Sequence, residues 1–559
     1  MTTAVSIDNL SFTYADRKNP ALKNITSGMD EGAFVCILGH GGAGKSSLCY
    51  ALNGLIPKFF RGSYQGQVRI KGEIVSEKTV ALLSQRVGLV LQDFEAQLFS
   101  TNVELEMAFG PENHGLPRPE IEKRIQRYLS LVGLEPLRQR QPATLSGGQK
   151  QRLAIGSILA METDILVMDE PTTDLDPRGA HEVLLLARNL RQEGRTLLMV
   201  VPEPEMALEA DQVWLMRDGE LIAQGHPIEI LTDLPALKSC GVKLPGFIEL
   251  FMALDWPGLP LTLEQALTFI EDHQLIKKTL SPVHGPGASR PARGPVILQA
   301  EGLTYEYPFT EEKALKGIDL IIHEGEFIAL LGQNGSGKTT LAKHFNGLLK
   351  ASSGCIKVQG KPITAYGHKD LARKVGYVFQ NPDHQIFART VEEEIGFGLK
   401  VLGLDPETIR NRVSGVLEVV ELQGYEKRVP FTLTKGERQR VAVASVLAVR
   451  PQVIILDEPT TGLDYEHQKS IMALLQALNR KGHTVIIITH SMWVATEYAE
   501  RTIVLKEGAI ILDGPTRKVF AEEQVLARAS LSPPPLVQLS NRLGLQGLTL
   551  EQIVQEIKG

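Results

Sequence analysis

The sequence predicts an α/β chain built twice over: two tandem domains, each a mostly parallel sheet covered by helices, with a helical subdomain and a small helical tail. Three observations predict it. The pattern G-x-x-x-x-G-K-[ST] occurs twice, as GHGGAGKS over residues 39–46 and as GQNGSGKT over residues 332–339. Around it the chain repeats itself: Gln92 in VLQDFEAQLF and Gln380 in VFQNPDHQIF lie 288 residues apart. The same interval of 288 separates the acidic pair Asp169 and Glu170 of ILVMDEP from Asp457 and Glu458 of VIILDEP. Within each copy, short β-branched runs alternate with helix-length segments, the pattern of parallel strands joined by crossover helices.

The elements follow in order. The first domain is expected over residues 1–235. Its apolar run FVCIL leads into the first glycine loop and then SLCYALNGL; the second copy has FIALL, loop and TLAKHFNGL. This order of strand, loop and helix is the context a phosphate-cradling motif needs. Gly39, Gly41, Gly42 and Gly44, and in the second copy Gly332, Asn334, Gly335 and Gly337, bring backbone N–H groups around phosphate oxygens at a positive helix end. Lys45 and Lys338 reach the terminal phosphates of a nucleoside triphosphate. Ser46 and Thr339 are placed to hold Mg²⁺, with Ser47 and Thr340 next in line.

The two loop lysines are 293 residues apart, so the first copy carries five extra residues before its glutamine. They are expected near residues 56–66, IPKFFRGSYQG, whose Gly, Pro and Ser content suits a surface loop. Asp169 and Asp457 each end an apolar run, at the tip of a buried strand, where a carboxylate can hold the water shell of Mg²⁺. Glu170 and Glu458 follow directly and are the general-base candidates for activating water. TLLMVV and TVIIIT read as buried strands. PLTLEQAL at residues 260–267 is similar to GLTLEQIV at residues 547–554, so each domain is expected to end in a small helical extension, at 236–276 and 521–559. Between them SPVHGPGASRPARGP reads as a semi-extended linker, placed at 277–295, with the second domain at 296–520.

Composition narrows the class. The 559 residues are 43% hydrophobic and 22% charged, as in ordinary globular proteins. A formal net charge of −6 without a Lys/Arg run argues against nucleic acid as the partner. Cys36, Cys49, Cys240 and Cys355 are scattered with no C-x-x-C pair, against a zinc or iron–sulfur module and consistent with a reducing compartment. The N-terminal MTTAVSIDNL has no basic start and apolar core, so no signal peptide is expected. No run approaches 18 consecutive apolar residues, so no membrane span is expected either.

One more motif lies between the glutamine and the acidic pair: LSGGQKQR at residues 145–152. With it, the chain resembles tandem ATP-binding cassette proteins over residues 5–235 and 297–520. That resemblance implies ATP and Mg²⁺ as ligands and two cassettes stacked head to tail within the chain. Each ATP would lie between one cassette's phosphate loop and the other's signature, here Ser146, Gly147, Gly148 and Gln149. It also implies adenine stacking on Tyr14 and Tyr307, γ-phosphate and Mg²⁺ sensing by Gln92 and Gln380, and a switch histidine at His490. The halves depart from the pattern at two places. The second signature reads LTKGE, with Thr434 for Ser146, Lys435 for Gly147 and Glu437 for Gln149 around the retained Gly436. The lost glycine removes close backbone approach and the carboxylate is expected to repel phosphate, Lys435 partly compensating the charge. In the first half, LLMVVPEPE sets Pro202, or Val201 with a one-residue shift, opposite His490. Both defects then fall in the site built on Lys45 and Glu170, which is expected to turn over slowly.

The segment NPDHQIFARTVEEEIGFGL at residues 381–399 is very similar to that of energy-coupling factor ATPases, the cobalt and vitamin importers. This resemblance implies a peripheral ATPase at the cytoplasmic face of the membrane. Its partners would be an integral-membrane coupling protein and a small substrate-capture subunit. The acidic residues Glu104, Glu106 and 392–394 are expected to meet basic residues of that partner. The rival readings are a fused sugar-importer ATPase and a soluble tandem-cassette ATPase acting on ribosomes or nucleic acid. The long charged connector and cysteine clusters of the soluble class have no counterpart in the sequence.

Overall fold

The computed structural model describes residues 2–173, 175–276, 294–308 and 313–558. The chain forms two compact units, 1–262 and 263–559. Each contains one six-stranded and one four-stranded sheet.

In the first unit the phosphate-loop strand Phe34–Leu38 is buried at all five positions. It lies between the parallel strands Thr196–Val200 and Gln212–Arg217, followed outward by Ile165–Met168 and Val87–Val90. Strands buried on both faces read as continuous apolar runs, which is why the sequence showed them so clearly. The edge strand Glu220–Gly225 pairs antiparallel. The second unit repeats this order, with Phe327–Leu331 between Thr484–Ile488 and Arg501–Lys506, and Val453–Asp457 and Val375–Val378 beyond. Functional loops therefore leave the carboxyl ends of neighbouring parallel strands, where open α/β sheets gather their ligands.

The helices are fixed by caps and apolar stripes. In Pro177–Gln192, Asp176 accepts a hydrogen bond from Gly179 N at 2.8 Å and proline opens the first turn. Its buried Ala180, Val183, Ala187 and Leu190 recur at helical spacing and face the sheet. Burying each larger member stabilises the fold by roughly 1.5–3 kcal/mol. The helical subdomains consist of Val103–Asn113, Arg118–Leu131 and Gly147–Leu159 in the first unit. Val391–Val401, Pro406–Val419 and Lys435–Val449 form the second.

The extra residues of the first copy fall inside 55–66, where a short helix, Leu55–Lys58, precedes the strand Gly62–Ile70. This insertion is not merely a solvent loop. Phe60 stacks on Tyr50 at 5.1 Å and meets Tyr14 edge-on at 6.0 Å, while Phe59 stays 73% exposed.

The tails divide differently from the expected boundaries. Leu234–Ser239 and Gly246–Ala253 belong to the first unit, where Cys240 O accepts the N–H of the phosphate-loop residue His40 at 3.0 Å. Leu263–Asp272, expected in the first extension, belongs to the second unit and packs against Pro535–Arg542. Its short apolar stripe, with Ala266 and Ile270 buried, finds its cover there. Of the expected linker, residues 277–293 lie outside the described residues.

Candidate functional site

Each phosphate loop is shaped by backbone that only glycine adopts easily. Gly44 and Gly337 precede the helices Lys45–Leu52 and Lys338–Phe345 with φ of 98° and 101°. A Cβ on Gly39 or Gly332 would collide with the carbonyl oxygen of Met216 or Leu505, so the loops lie directly on the neighbouring strand. Gly41 and Gly42, and Gly335, are exposed at the loop crest, with Asn334 half-buried beside them. Lys45 Nζ donates to Gly39 O and His40 O at 2.8 and 2.9 Å, and Lys338 Nζ to Gly332 O and Gln333 O, both at 2.8 Å. These ammonium groups are buried, 8% and 5% exposed, and are held across their own loops where phosphate oxygens would enter.

The carboxylates come to the same place. Asp169 is fully buried and Asp457 is 4% exposed. In the second half Thr339 Oγ1 donates to Asp457 Oδ1 at 3.2 Å, joining the two residues expected to hold Mg²⁺. In the first half neither oxygen of Asp169 has a hydrogen-bond partner among the described residues. The Ser46 hydroxyl lies close to it without well-formed bond geometry. Burial, with Glu170 adding, pushes the Asp169 carboxyl up to about 6 against the pull of Ser46 and Lys45. A buried carboxylate with both oxygens unpartnered calls for a cation, so the residues fit Mg²⁺.

Glu170 and Glu458 sit in left-handed backbone, φ 49° and 48°. That costs on the order of 1–3 kcal/mol for a residue with a Cβ and persists where the surroundings enforce it. Gln92 Nε2 donates to Glu170 Oε2 at 2.8 Å, and Gln380 Nε2 to Glu458 Oε2 at 2.9 Å. Each glutamine thus meets the general-base candidate of its own half, a pairing the sequence did not indicate. Burial pushes Glu458 up, but His490 and Lys338 outweigh it and hold the carboxyl below its ordinary value. His490 Nε2 lies 2.6 Å from Glu458 Oε1, a close contact that becomes an ion pair when the imidazole is protonated.

Sheet register decides the position opposite His490. Phe34 pairs with Leu197 as Phe327 pairs with Val485, so Val201 corresponds to Thr489 and Pro202 to His490. Proline has neither a side-chain donor nor an N–H. Lys45 Nζ stands 3.8 Å from Glu170 Oε1, and no histidine contact to Glu170 occurs among the described residues.

Tyr14 OH shares a 2.9 Å hydrogen bond with Ser47 Oγ, and Tyr307 OH shares one of the same length with Thr340 Oγ1. The tyrosines therefore border the phosphate loops, with Tyr307 39% exposed.

The signatures cap helices. Ser146 and Thr434 each close a capping box with Gln149 and Glu437. Gly147 and Gly148 start the first helix, and Gly436 is buried against His467, a Cβ there meeting its ring at 3.2 Å. Glu437 keeps the charge expected to repel phosphate, and the structure adds how that charge is held. Its carboxylate is tied inward, accepting from Thr434 N at 2.8 Å, Thr434 Oγ1 at 2.9 Å and Tyr425 OH at 3.0 Å. What differs from the first half is the hydroxyl: Thr434 spends its proton on Glu437, whereas Ser146 Oγ only accepts, from Gln149 N at 3.3 Å.

The acidic clusters need correction. Glu106 accepts from the N–H groups of Phe99 and Ser100 at 3.1 and 2.8 Å, and Glu394 from Phe387 and Ala388 at 2.9 and 2.8 Å. Glu104 pairs with Arg138 at 2.7 Å and Glu392 with Lys427. Their charge is used within their own cassette, and only Glu393 is exposed. Sequence reasoning missed a second glutamine in each loop: Gln97 Oε1 and Gln385 Oε1 accept from Leu91 N and Phe379 N at 3.1 and 3.2 Å. The matched AQLF and HQIF segments carried that signal.

A family model described as "ABC transporter" matches residues 22–173 and 315–461. The chain belongs to the ABC transporter ATP-binding family. An ABC transporter ATP-binding protein of Caldanaerobacter subterraneus subsp. tengcongensis, named only provisionally, is 49% identical over 558 residues, covering 98% of each chain. A provisionally named relative from Methanosarcina acetivorans is 40% identical over 98% of this chain and 92% of its own. Among solved structures, CbiO1 from Clostridium perfringens, described as part of the ABC transporter complex CbiONQ, is 40% identical over 44% of this chain and 98% of its own, with a TM-score of 0.39. As a tandem ABC ATPase the chain binds ATP with Mg²⁺ and hydrolyses it. Among the described residues no helix is long and apolar enough to cross a membrane.

Proposed function

We propose that this ABC ATPase powers an energy-coupling-factor-type importer for a vitamin, vitamin precursor or transition-metal ion. It would work from the cytoplasmic membrane face through a separate integral-membrane coupling protein and a small capture subunit. The observation that carries the reading is a pair of exposed aromatic patches at equivalent places in the two units. Phe99 and Phe109 meet edge to face at 4.5 Å, 62% and 45% exposed; Phe387 and Phe397 do so at 4.7 Å, 61% and 46% exposed. Paired aromatics left in water are the signature of a docking surface. Each patch follows the glutamine that hydrogen-bonds the general base, so a helix seated on it has a short mechanical route to Glu170 or Glu458.

Within this reading the halves pair head to tail. The site on Lys338, Glu458 and His490 receives the Ser146 signature; the site on Lys45 and Glu170 receives Thr434 and Glu437. Glu458 polarises the attacking water, His490 and Gln380 hold that carboxylate in place, and Lys338 and the glycine loop orient the terminal phosphates. Mg²⁺, when bound by Thr339 and Asp457, supplies charge neutralisation at the phosphates.

The test is purification of the tagged chain from membranes, native and with Phe387→Ser and Phe397→Ser. The expected result is recovery of a multi-span protein and a small membrane subunit with the native chain. The double variant should lose both while still binding ATP. Recovery with ribosomes or DNA instead, or undiminished copurification by the variant, overturns the proposal.

A further inference from the structure

The two halves differ at one buried position beside the metal-binding carboxylates. Tyr377 lies on the strand Val375–Val378 and faces Ile455 across the ladder; Leu89 lies on Val87–Val90 and faces Val167. These are the same place in the repeat. The Tyr377 hydroxyl donates to Asp457 Oδ2 at 2.7 Å, while Thr339 Oγ1 donates to Oδ1 at 3.2 Å. The carboxylate is thus held from both sides by neutral donors before any metal arrives. Leu89 has no donor, and Asp169 has no hydrogen-bond partner on either oxygen among the described residues.

We propose that Tyr377 is a positioning residue for the Mg²⁺-holding carboxylate Asp457, and that Leu89 in its place gives the first nucleotide site a weaker grip on the divalent ion. The inference rests on the reading of Asp457 and Asp169 as the metal-holding carboxylates.

The ring of Tyr377 alone has a packing role, meeting Phe379 edge-on at 5.1 Å, and a phenylalanine would keep it. The hydroxyl is what packing does not explain. A buried phenol needs a partner, and this one has chosen a metal carboxylate over the backbone carbonyls of its sheet. Tyr50 does not replace it: its hydroxyl makes no hydrogen bond with Asp169 among the described residues, and its ring stacks on Phe60. Hydrogen bonds to a ligating carboxylate fix its orientation, and losing such a partner typically weakens metal affinity about 10–100-fold.

The experiment measures binding of a fluorescent ATP analogue to the full chain while Mg²⁺ is titrated. One site is silenced at a time by Lys45→Ala or Lys338→Ala, and affinity in EDTA serves as the metal-free reading. With the second site reporting, Tyr377→Phe should raise the Mg²⁺ midpoint about tenfold or more and leave affinity in EDTA unchanged. With the first site reporting, Leu89→Tyr should lower the midpoint. A Tyr377→Phe midpoint equal to the native one, while Asp457→Asn shifts it, overturns the proposal with the metal reading intact. Equal weakening with and without Mg²⁺ overturns it too, because that is what a packing role predicts. An unchanged midpoint in Asp457→Asn overturns the metal reading itself, and the inference with it.

Discussion

Replacing the general bases one at a time separates the two sites. In the second half Glu458 is 9% exposed at its side chain and has His490 at 2.6 Å; in the first, Glu170 is 20% exposed and Pro202 stands where the histidine would be. On the switch-histidine reading, His490 donates to the γ-phosphate of bound ATP; a hydrogen bond to such a charged group contributes about 1.5–3 kcal/mol, and a barrier change of about 1.4 kcal/mol is tenfold in rate. Absence of the histidine alone therefore slows the first site by roughly 10- to 150-fold. The first site would then supply at most about a tenth of the turnover. Glu458→Gln should leave about 10% or less of the phosphate release of the assembled complex at saturating Mg²⁺ and ATP, and Glu170→Gln about 90% or more. Equal losses in the two variants would refute the asymmetry and show that the sites fire as one unit.

Two further outcomes follow from the same geometry. In the Glu458→Gln background, Glu437→Gln should raise the residual turnover several-fold, because it frees the Thr434 hydroxyl while glutamine still caps the helix as Gln149 does; an unchanged rate sinks that explanation of the weak signature. Asp169, raised to about 6 by burial, keeps its proton in the folded chain to a higher pH than in the unfolded one. In EDTA its contribution is fully present below about pH 4 and is lost as pH rises through about 6, by about 3 kcal/mol. Asp169→Asn should remove that decline in urea unfolding followed by tryptophan fluorescence with Trp493→Phe, leaving Trp214 and Trp256 of the first unit as reporters. Parallel pH profiles for the two chains would count against the buried carboxylate as the cause.

The phosphate loops, the strand-tip carboxylates and the repeat were legible because each is local: a glycine pattern, an apolar run, an acidic pair. What escaped depends on contacts distant in sequence. The sequence leaves Pro202 and Val201 both open opposite His490, and the pairing of Phe34 with Leu197 and Phe327 with Val485 decides for Pro202. Glu106 and Glu394 read as free surface charge because nothing in a residue string shows a carboxylate turning back onto the N–H groups seven and six positions earlier. Glu437 was closer to readable, since T-x-x-E before an apolar stretch is a capping box, and a capping carboxylate is an occupied one. Tyr377 hid in a strand whose pattern says only that it is core. The signal was comparative: a tyrosine opposite a leucine in an otherwise matched repeat. The helix Leu263–Asp272 likewise resembles the C-terminal tail in sequence, but its packing partner is set by tertiary contacts.

The differences between the halves are not scattered wear. His490 beside Glu458 and Tyr377 on Asp457 add two contacts to the second cluster, and the corresponding first-half residues, Pro202 and Leu89, can make neither; on the proposed reading both absences weaken the same site. The signature changes go the other way, with Thr434 engaged by Glu437 in the second half and Ser146 left able to donate in the first. Under head-to-tail pairing these opposite trends add: the strong cluster meets the unencumbered signature, and the weak cluster meets the engaged one. Two independent chains carrying such changes could also pair with their own kind, each giving two mismatched sites. A single chain fixes one of each half in one order, so the asymmetry is delivered in every molecule. If the proposed pairing and asymmetry hold, fusion is the covalent device that makes a division of labour between a faster and a slower site reproducible.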